Sequence, residues 1–285
     1  MENKEKKGLN YMLHEISPEK LDNSFKYIEP EKDDYCISIV DNKIGLVEES
    51  FQSVEFPTFE NVSEQLDKFV YLFTVAGRKY FICLPRKGKL ENVSYVTIKE
   101  FMSMRPKVLV YAGMTAYHLY VWYRDNQFCG RCGHPLVHDK SERMMFCENC
   151  KNQVFPKIMP AVIVAVTWGD KILVTRYKGR EYKGYALIAG FTEIGETAEE
   201  TVLREVMEET GVKVKNIQYF ATQPWGIAQD LLLGYFCELD GSPEIKVDEN
   251  ELSWACWIDR SEIDVKDQDV SLTNKMLYLF SKGER

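Results

Sequence analysis

Long apolar runs, a basic surplus, internal repeats and low-complexity tracts are all missing from this 285-residue sequence. The longest strictly apolar run covers residues 161–166, and the uncharged but mixed stretch 108–123 also falls short of the ~20 residues that a bilayer-spanning helix needs. A membrane-spanning helix is thereby excluded. Residues 1–9 are rich in Glu and Lys and lack the apolar core of a secretory signal, so the chain is expected in the cytoplasm with its thiols reduced. Lys plus Arg number 36 against 44 Asp plus Glu, a net charge of −8, so the protein as a whole repels phosphate groups unless cations or a local basic patch intervene. A content of 45% hydrophobic and 28% charged residues rules out disorder and fibre and, at ~150 residues per domain, allows about two domains.

What is present begins with eight cysteines. In a chain of this size without an export signal, metal binding explains them better than a disulfide framework. Cys129, Cys132, Cys147 and Cys150 form C-x2-C, a gap of fourteen residues, then C-x2-C. Each such turn brings two thiolates onto one metal, and two turns complete the tetrahedron that structural zinc prefers. A dithiol redox pair would need a single C-x-x-C and leaves the second unexplained. Gly130 and Gly133 are expected to supply permissive backbone in the first turn, with Asn149 inside the second. Four sulfurs close the shell, so one Zn2+ per chain is expected in a structural role, and His134 and His138 are read as surface residues. Cys36, Cys83, Cys237 and Cys256 are scattered among apolar neighbours and are read as packing residues.

Strand-like runs at 36–40 and 43–48 flank Asp41-Asn42, and runs at 71–75 and 79–83 flank Ala76-Gly77-Arg78, so both read as hairpins. Thr97 with Glu100 has capping-box spacing. A helix is expected to start there, break near Pro106 and resume over 108–123, with Leu109, Met114, Tyr117, Leu119, Tyr120 and Val121 as core or subunit interface. Further on, 162–168 and 171–175 read as a hairpin across Gly169-Asp170, 231–237 as a buried strand and 272–281 as a helix. The fold class is α+β. Three parts are expected: a β-rich N-terminal domain with linking helices (1–124), a four-cysteine zinc ribbon (125–158) and a C-terminal domain (159–285).

The richest stretch is 190–212. Thr197 and Glu200 make a second capping box and Gly211 stands where a helix end accepts left-handed backbone, so a helix over 198–210 follows. Val202, Leu203 and Val206 form its expected buried stripe, leaving Glu205, Glu208 and Glu209 on a common face. Carboxylates that close repel unless cations lie between them, and oxygen ligands select Mg2+ or Mn2+; a solvated acidic face is the plain alternative.

Gly190, Glu196, Arg204-Glu205, Val206 and Glu208-Glu209 through Gly211-Val212 resemble the Nudix box at every defined position. The resemblance implies an α/β/α sandwich for the C-terminal domain, and hydrolysis of a nucleoside diphosphate linked to another group. It places Mg2+ or Mn2+ on the Ala189 carbonyl, Glu205, Glu208 and Glu209, with Arg204 bracing the box. Glu209, supported by Glu205 and Glu208, becomes the candidate catalytic base.

The cysteine unit ahead of the box and Gln223-Pro224-Trp225 behind it resemble the NADH pyrophosphatase branch. That resemblance implies hydrolysis of NAD(H) to nicotinamide mononucleotide and AMP, with NAD-capped RNA as a further substrate. It adds Glu142, Phe155, Phe191, Gln223, Pro224 and Trp225 as substrate-binding residues and Glu251 as a further metal or substrate ligand. It also implies a homodimer, since the Trp matching Trp225 is contributed by the other subunit and sandwiches the nicotinamide ring with the Phe191 counterpart. The chain departs from the branch after Trp225: Gly226-Ile227-Ala228-Gln229-Asp230 replaces a Pro- and Phe-containing segment ending in Ser. Gly226 is expected to loosen this loop, and Asp230 adds negative charge. The alternatives are a Nudix hydrolase for ADP-ribose or another nucleoside diphosphate derivative, and a non-catalytic nucleotide sensor. The sensor is disfavoured because every box carboxylate is present and 128–156 is not clearly basic.

Overall fold

The structure, a computed structural model, describes residues 12–47, 53–179, 184–268 and 270–285. The Glu- and Lys-rich start at 1–9 lies outside the described residues. The chain forms two compact units: Leu13–Lys157 with Gly226–Gln229, and Ile158–Trp225 with Asp230–Arg285, to which Met12 belongs. Among the described residues no helix is long and apolar enough to cross a membrane.

In the first unit both expected hairpins form. Asp41 and Asn42 take positive φ, pairing Val40 with Lys43, and Ala76 and Gly77 do the same between Val75 and Arg78. The expected strand 36–40 is split at Ser38. This residue is fully buried, its hydroxyl 2.9 Å from that of Tyr95, and the chain passes there from one sheet to another. Tyr35–Ile37 runs parallel to Arg78–Pro85, whereas Ile39–Val40 pairs with Lys43–Val47. Thr97 and Glu100 close the capping box of helix Ile98–Met102, and Pro106 precedes helix Lys107–Asp125. Met114, Tyr117, Leu119 and Val121 are buried in the chain's own core, and Leu109 and Tyr120 are half-buried.

The second unit is built on a sheet ordered Val214–Trp225, Asp230–Leu239, Met159–Trp168, Lys171–Tyr177, Leu252–Asp259, with Ile188–Phe191 also paired to Met159–Trp168. The hairpin across Gly169-Asp170 closes with Trp168 opposite Lys171. Met159–Trp168 runs parallel to Asp230–Leu239. Its side chains alternate across the sheet, as strand geometry requires. Val162, Val164 and Val166 meet Val202 and Val206 of helix Ala198–Thr210, while Ile163 and Ala165 meet Leu272, Met276 and Phe280 of helix Leu272–Ser281. One helix on each face gives the α/β/α layering. Burying each of the larger apolar side chains among these stabilises the sandwich by roughly 1.5–3 kcal/mol.

Candidate active site and zinc centre

Cys129, Cys132, Cys147 and Cys150 place their sulfurs within 4.8 Å of one another, the spread that one tetrahedral ion with short metal–sulfur bonds would span. Local backbone geometry makes this happen twice. The Gly133 N–H donates to the Cys129 carbonyl and the Cys129 N–H to the His134 carbonyl; Lys151, Cys147 and Asn152 repeat the same two bonds. The residue at positive φ is Gly133 in the first turn and Lys151 in the second. Gly130 therefore does not carry the special backbone expected of it. His134 is exposed, whereas His138 is half-buried: it packs against Phe25 and Tyr123, and its Nε2 lies 2.8 Å from the Tyr123 hydroxyl. Among the remaining cysteines, Cys36, Cys83 and Cys237 are buried and Cys256 half-buried, in keeping with packing roles.

The acidic helix runs Ala198–Thr210, with the Thr197–Glu200 capping box at its start and Gly211 at φ 68 ending it. Its faces differ from expectation. Leu203 is 46% exposed, and the buried stripe is Thr201, Val202, Glu205, Val206 and Glu209. Glu205 and Glu209 thus turn inward at i and i+4, while Glu208 points to solvent.

Arg204 organises the group. Its Nε and Nη2 donate to the two Glu196 oxygens at 2.6 and 2.9 Å, Nη1 donates to Glu205 and Glu208 at 2.7 and 3.0 Å, and Nη2 also donates to the Phe191 carbonyl at 2.9 Å. The Arg204 guanidinium holds the Glu196 carboxyl down to about 2. Gly190 is needed by proximity, since a Cβ there would overlap the Glu205 carboxyl.

Glu209 is 1% exposed. Tyr177 donates to its Oε1 at 3.2 Å and also reaches the Ala189 carbonyl at 3.2 Å, whereas Glu209 Oε2 is sealed off with no hydrogen-bond partner among the described residues. Burial, with the nearby charges of Glu205 and Glu251, pushes the Glu209 carboxyl up to about 8. Burial also raises Glu205. An orphaned, desolvated carboxylate oxygen beside a second inward carboxylate is what a hard divalent cation corrects, so the donor set fits Mg2+ or Mn2+. Among the described residues only the four cysteines gather three or more metal-ligating atoms within 4.8 Å; the glutamates stand further apart, with the Arg204 guanidinium bonded to both Glu205 and Glu208.

Beside them lies a cavity of about 690 Å3 lined by Ala189, Gly190, Phe191, Arg204, Glu205, Trp225, Asp230 and Glu251. A Nudix domain model matches residues 157–280, the segment that holds this cavity. The C-terminal unit is a Nudix domain. A second model, the NADH pyrophosphatase zinc ribbon domain, matches residues 124–155 and covers all four cysteines. The chain is 43% identical over 136 residues to the NAD-capped RNA hydrolase NudC of Citrobacter koseri and 44% identical over 136 residues to that of Salmonella typhi. Each match covers 48% of this chain and 52% of the relative, so the chain spans about half the length of the curated relatives it matches. A NUDIX hydrolase of known structure from Nitrosomonas europaea superposes with a TM-score of 0.48 at 19% identity, over 55% of this chain and 90% of that one.

Within the Nudix domain, Phe191 and Trp225 line one cavity. Gln223 is not free to meet a ligand there. It is fully buried, its Nε2 donates to the Val270 carbonyl at 2.7 Å, and its Oε1 accepts from the Leu272 N–H at 2.7 Å, tying the start of the last helix to its strand. Pro224 is exposed beside it. Glu142 and Phe155 are exposed residues of the first unit. Gly226 is set by space and not by mobility, because a Cβ there would overlap the Met114 carbonyl oxygen. Tyr177, which buttresses both Glu209 and Ala189, escaped the sequence reading because it lies outside the box; only strand periodicity pointing it inward could have suggested it.

Proposed function

We propose that this chain hydrolyses the diphosphate bridge of NAD(H), giving nicotinamide mononucleotide and AMP in a reaction dependent on Mg2+ or Mn2+, and that it removes NAD caps from RNA. The observation that carries the reading is one cavity lined both by carboxylates (Glu205, Glu251) and by two aromatic rings (Phe191, Trp225). The first pair would suit divalent cations and a diphosphate, the second a flat ring, and about 690 Å3 is a usual volume for a small-molecule site. The NudC names of the relatives support the same substrate class.

Bound Mg2+ or Mn2+ supplies charge neutralisation on the diphosphate oxygens and greater acidity to water. The Ala189 carbonyl, Glu205 and Glu209 would hold it, with Glu208 and Glu251 in support. Glu209, whose Oε2 has no hydrogen-bond partner among the described residues, is the candidate to take the proton of the attacking water. Arg204 fixes Glu205 by a 2.7 Å hydrogen bond to its Oε1. Glu142, Phe155 and Pro224 would contact substrate from outside this set. A cytoplasmic homodimer, and a division into parts at 1–124, 125–158 and 159–285, belong to the same reading. Light scattering tests the homodimer directly.

The decisive measurement is AMP release from NADH, NAD+, ADP-ribose and NAD-capped RNA in Mn2+, for the native chain and Glu209→Gln. NAD-type substrates should be cleaved, and the variant should lose about a hundredfold or more in kcat. Equal turnover by the variant would remove Glu209 from the chemistry.

A further inference from the structure

The cavity holds a buried acceptor that diphosphate cleavage leaves without a role. Asp230 is 7% exposed and lines the cavity, and its Oδ1 is sealed from solvent without a hydrogen-bond partner among the described residues. Leaving a carboxylate oxygen buried and unpaired costs free energy, so such groups persist where a ligand completes them.

Its position says which part of a ligand it would meet. Asp230 stands opposite Trp225 in antiparallel register, which puts both side chains on one face of the hairpin. Leu232, two residues on, shares that face and lies beside Ala161, and Ala161 is paired with Phe191. Asp230 therefore belongs to the same cavity wall as the two aromatic rings. A flat ring seated against them would lie along the wall that carries this carboxylate. Gln223, the nearest side-chain amide along the strand, cannot serve because both its ends are committed to backbone. Burial pushes the Asp230 carboxyl up to about 6, as befits an acceptor whose partner is absent.

We propose that Asp230 sets specificity by accepting a hydrogen bond from an N–H donor on the ring held by Phe191 and Trp225, so that the site selects a carboxamide-bearing ring over a carboxylate-bearing one. The inference rests on the dinucleotide reading above. A carboxamide brings two N–H donors to the unpaired oxygen, whereas a ring carboxylate brings a second negative charge and no donor. Sites built around a buried polar group reject analogues that leave it unpaired far more strongly than apolar pockets reject a change of size.

The test compares kcat/KM for NAD+ and nicotinic acid adenine dinucleotide, with ADP-ribose, which lacks the ring, as reference. It uses the native chain, Asp230→Asn and Asp230→Ser, each checked for an intact melting transition. The native chain should prefer the carboxamide by about a hundredfold. Asp230→Asn, whose own amide can donate to a carboxylate, should bring the ratio within about threefold, with Asp230→Ser between the two. An unchanged ratio in both variants, while NAD+ is still cleaved, would overturn the inference and leave the hydrolase reading standing. An equal fall for all three substrates, relieved by excess Mn2+, would overturn it by making Asp230 a cation ligand. Should the native chain cleave none of the three, the hydrolase reading falls. Tryptophan fluorescence on adding nicotinamide mononucleotide or nicotinic acid mononucleotide then decides the specificity: a native preference for the amide, lost in Asp230→Asn, upholds it, and equal binding of both refutes it.

Discussion

The zinc ribbon and the acidic helix both gather side chains of metal-ligating type, but they are prepared differently. In the ribbon, two copies of one short backbone turn bring four sulfurs within 4.8 Å, so the shell is closed by residues adjacent in sequence. In the Nudix domain the carboxylates come from one helix and a distant loop and stay further apart, and Arg204 occupies acceptor positions on Glu205 and Glu208. A saturated shell suits a structural ion. Separated, partly unsatisfied donors suit an ion that must also hold a substrate. The lesson is that local spacing specifies the first kind of site, and tertiary burial the second.

The sharpest break in this comparison is expected at the ribbon. Cys132→Ser should abolish stoichiometric zinc by elemental analysis and unfold the ribbon, since structural zinc contributes on the order of 10 kcal/mol to such domains. A folded, zinc-free variant would remove the ion's structural role.

The acidic site should respond to protons where the ribbon responds to ligand loss. Burial pushes the Glu209 carboxyl from its ordinary value near 4.5 up to about 8. A raised carboxyl pKa stabilises the fold fully below the ordinary value, and that stabilisation is lost as pH rises through about 8. Metal-free protein should therefore lose roughly 4 kcal/mol between pH 5 and pH 9, with the slope largely removed in Glu209→Gln. Denaturant titrations across pH measure it, and Mn2+ should offset the loss at high pH.

Arg204→Lys keeps the charge but not the planar fork that bonds Glu196 twice, and should cost about 1–3 kcal/mol of Nudix-domain stability while leaving zinc content intact. Loss of zinc in that variant would show the two centres to be coupled. The smallest effect is expected at Lys151, whose positive φ of 60 suits glycine better. Lys151→Gly should stabilise the zinc-loaded ribbon by about 1 kcal/mol or less, read from the melting temperature.

Much of this was legible in the residues. Capping boxes at Thr97 and Thr197, the turns at Asp41-Asn42 and Gly169-Asp170, and the paired C-x2-C units are decided by neighbours in sequence, and the structure has them where spacing put them. What escaped depends on partners far along the chain. Helix periodicity alone puts Leu203 in the core because it cannot tell which side is covered; Leu203 is exposed, and Glu205 and Glu209 are buried instead. Gln223 resembled a ligand-binding residue until Val270 and Leu272 were seen to hold both its ends. Gly226 suggested looseness, whereas the nearby Met114 carbonyl makes it a position where nothing larger fits.

The strand Met159–Trp168 meets a helix with each of its faces. Inserting one residue at its middle would exchange the two sets of side chains beyond that point, handing valines shaped for the acidic helix to the C-terminal one. The Gly169-Asp170 corner can absorb the same extra residue outside the layers. Tolerance to length change in this domain should therefore follow a two-residue rhythm along the strand and vanish as a constraint at its end.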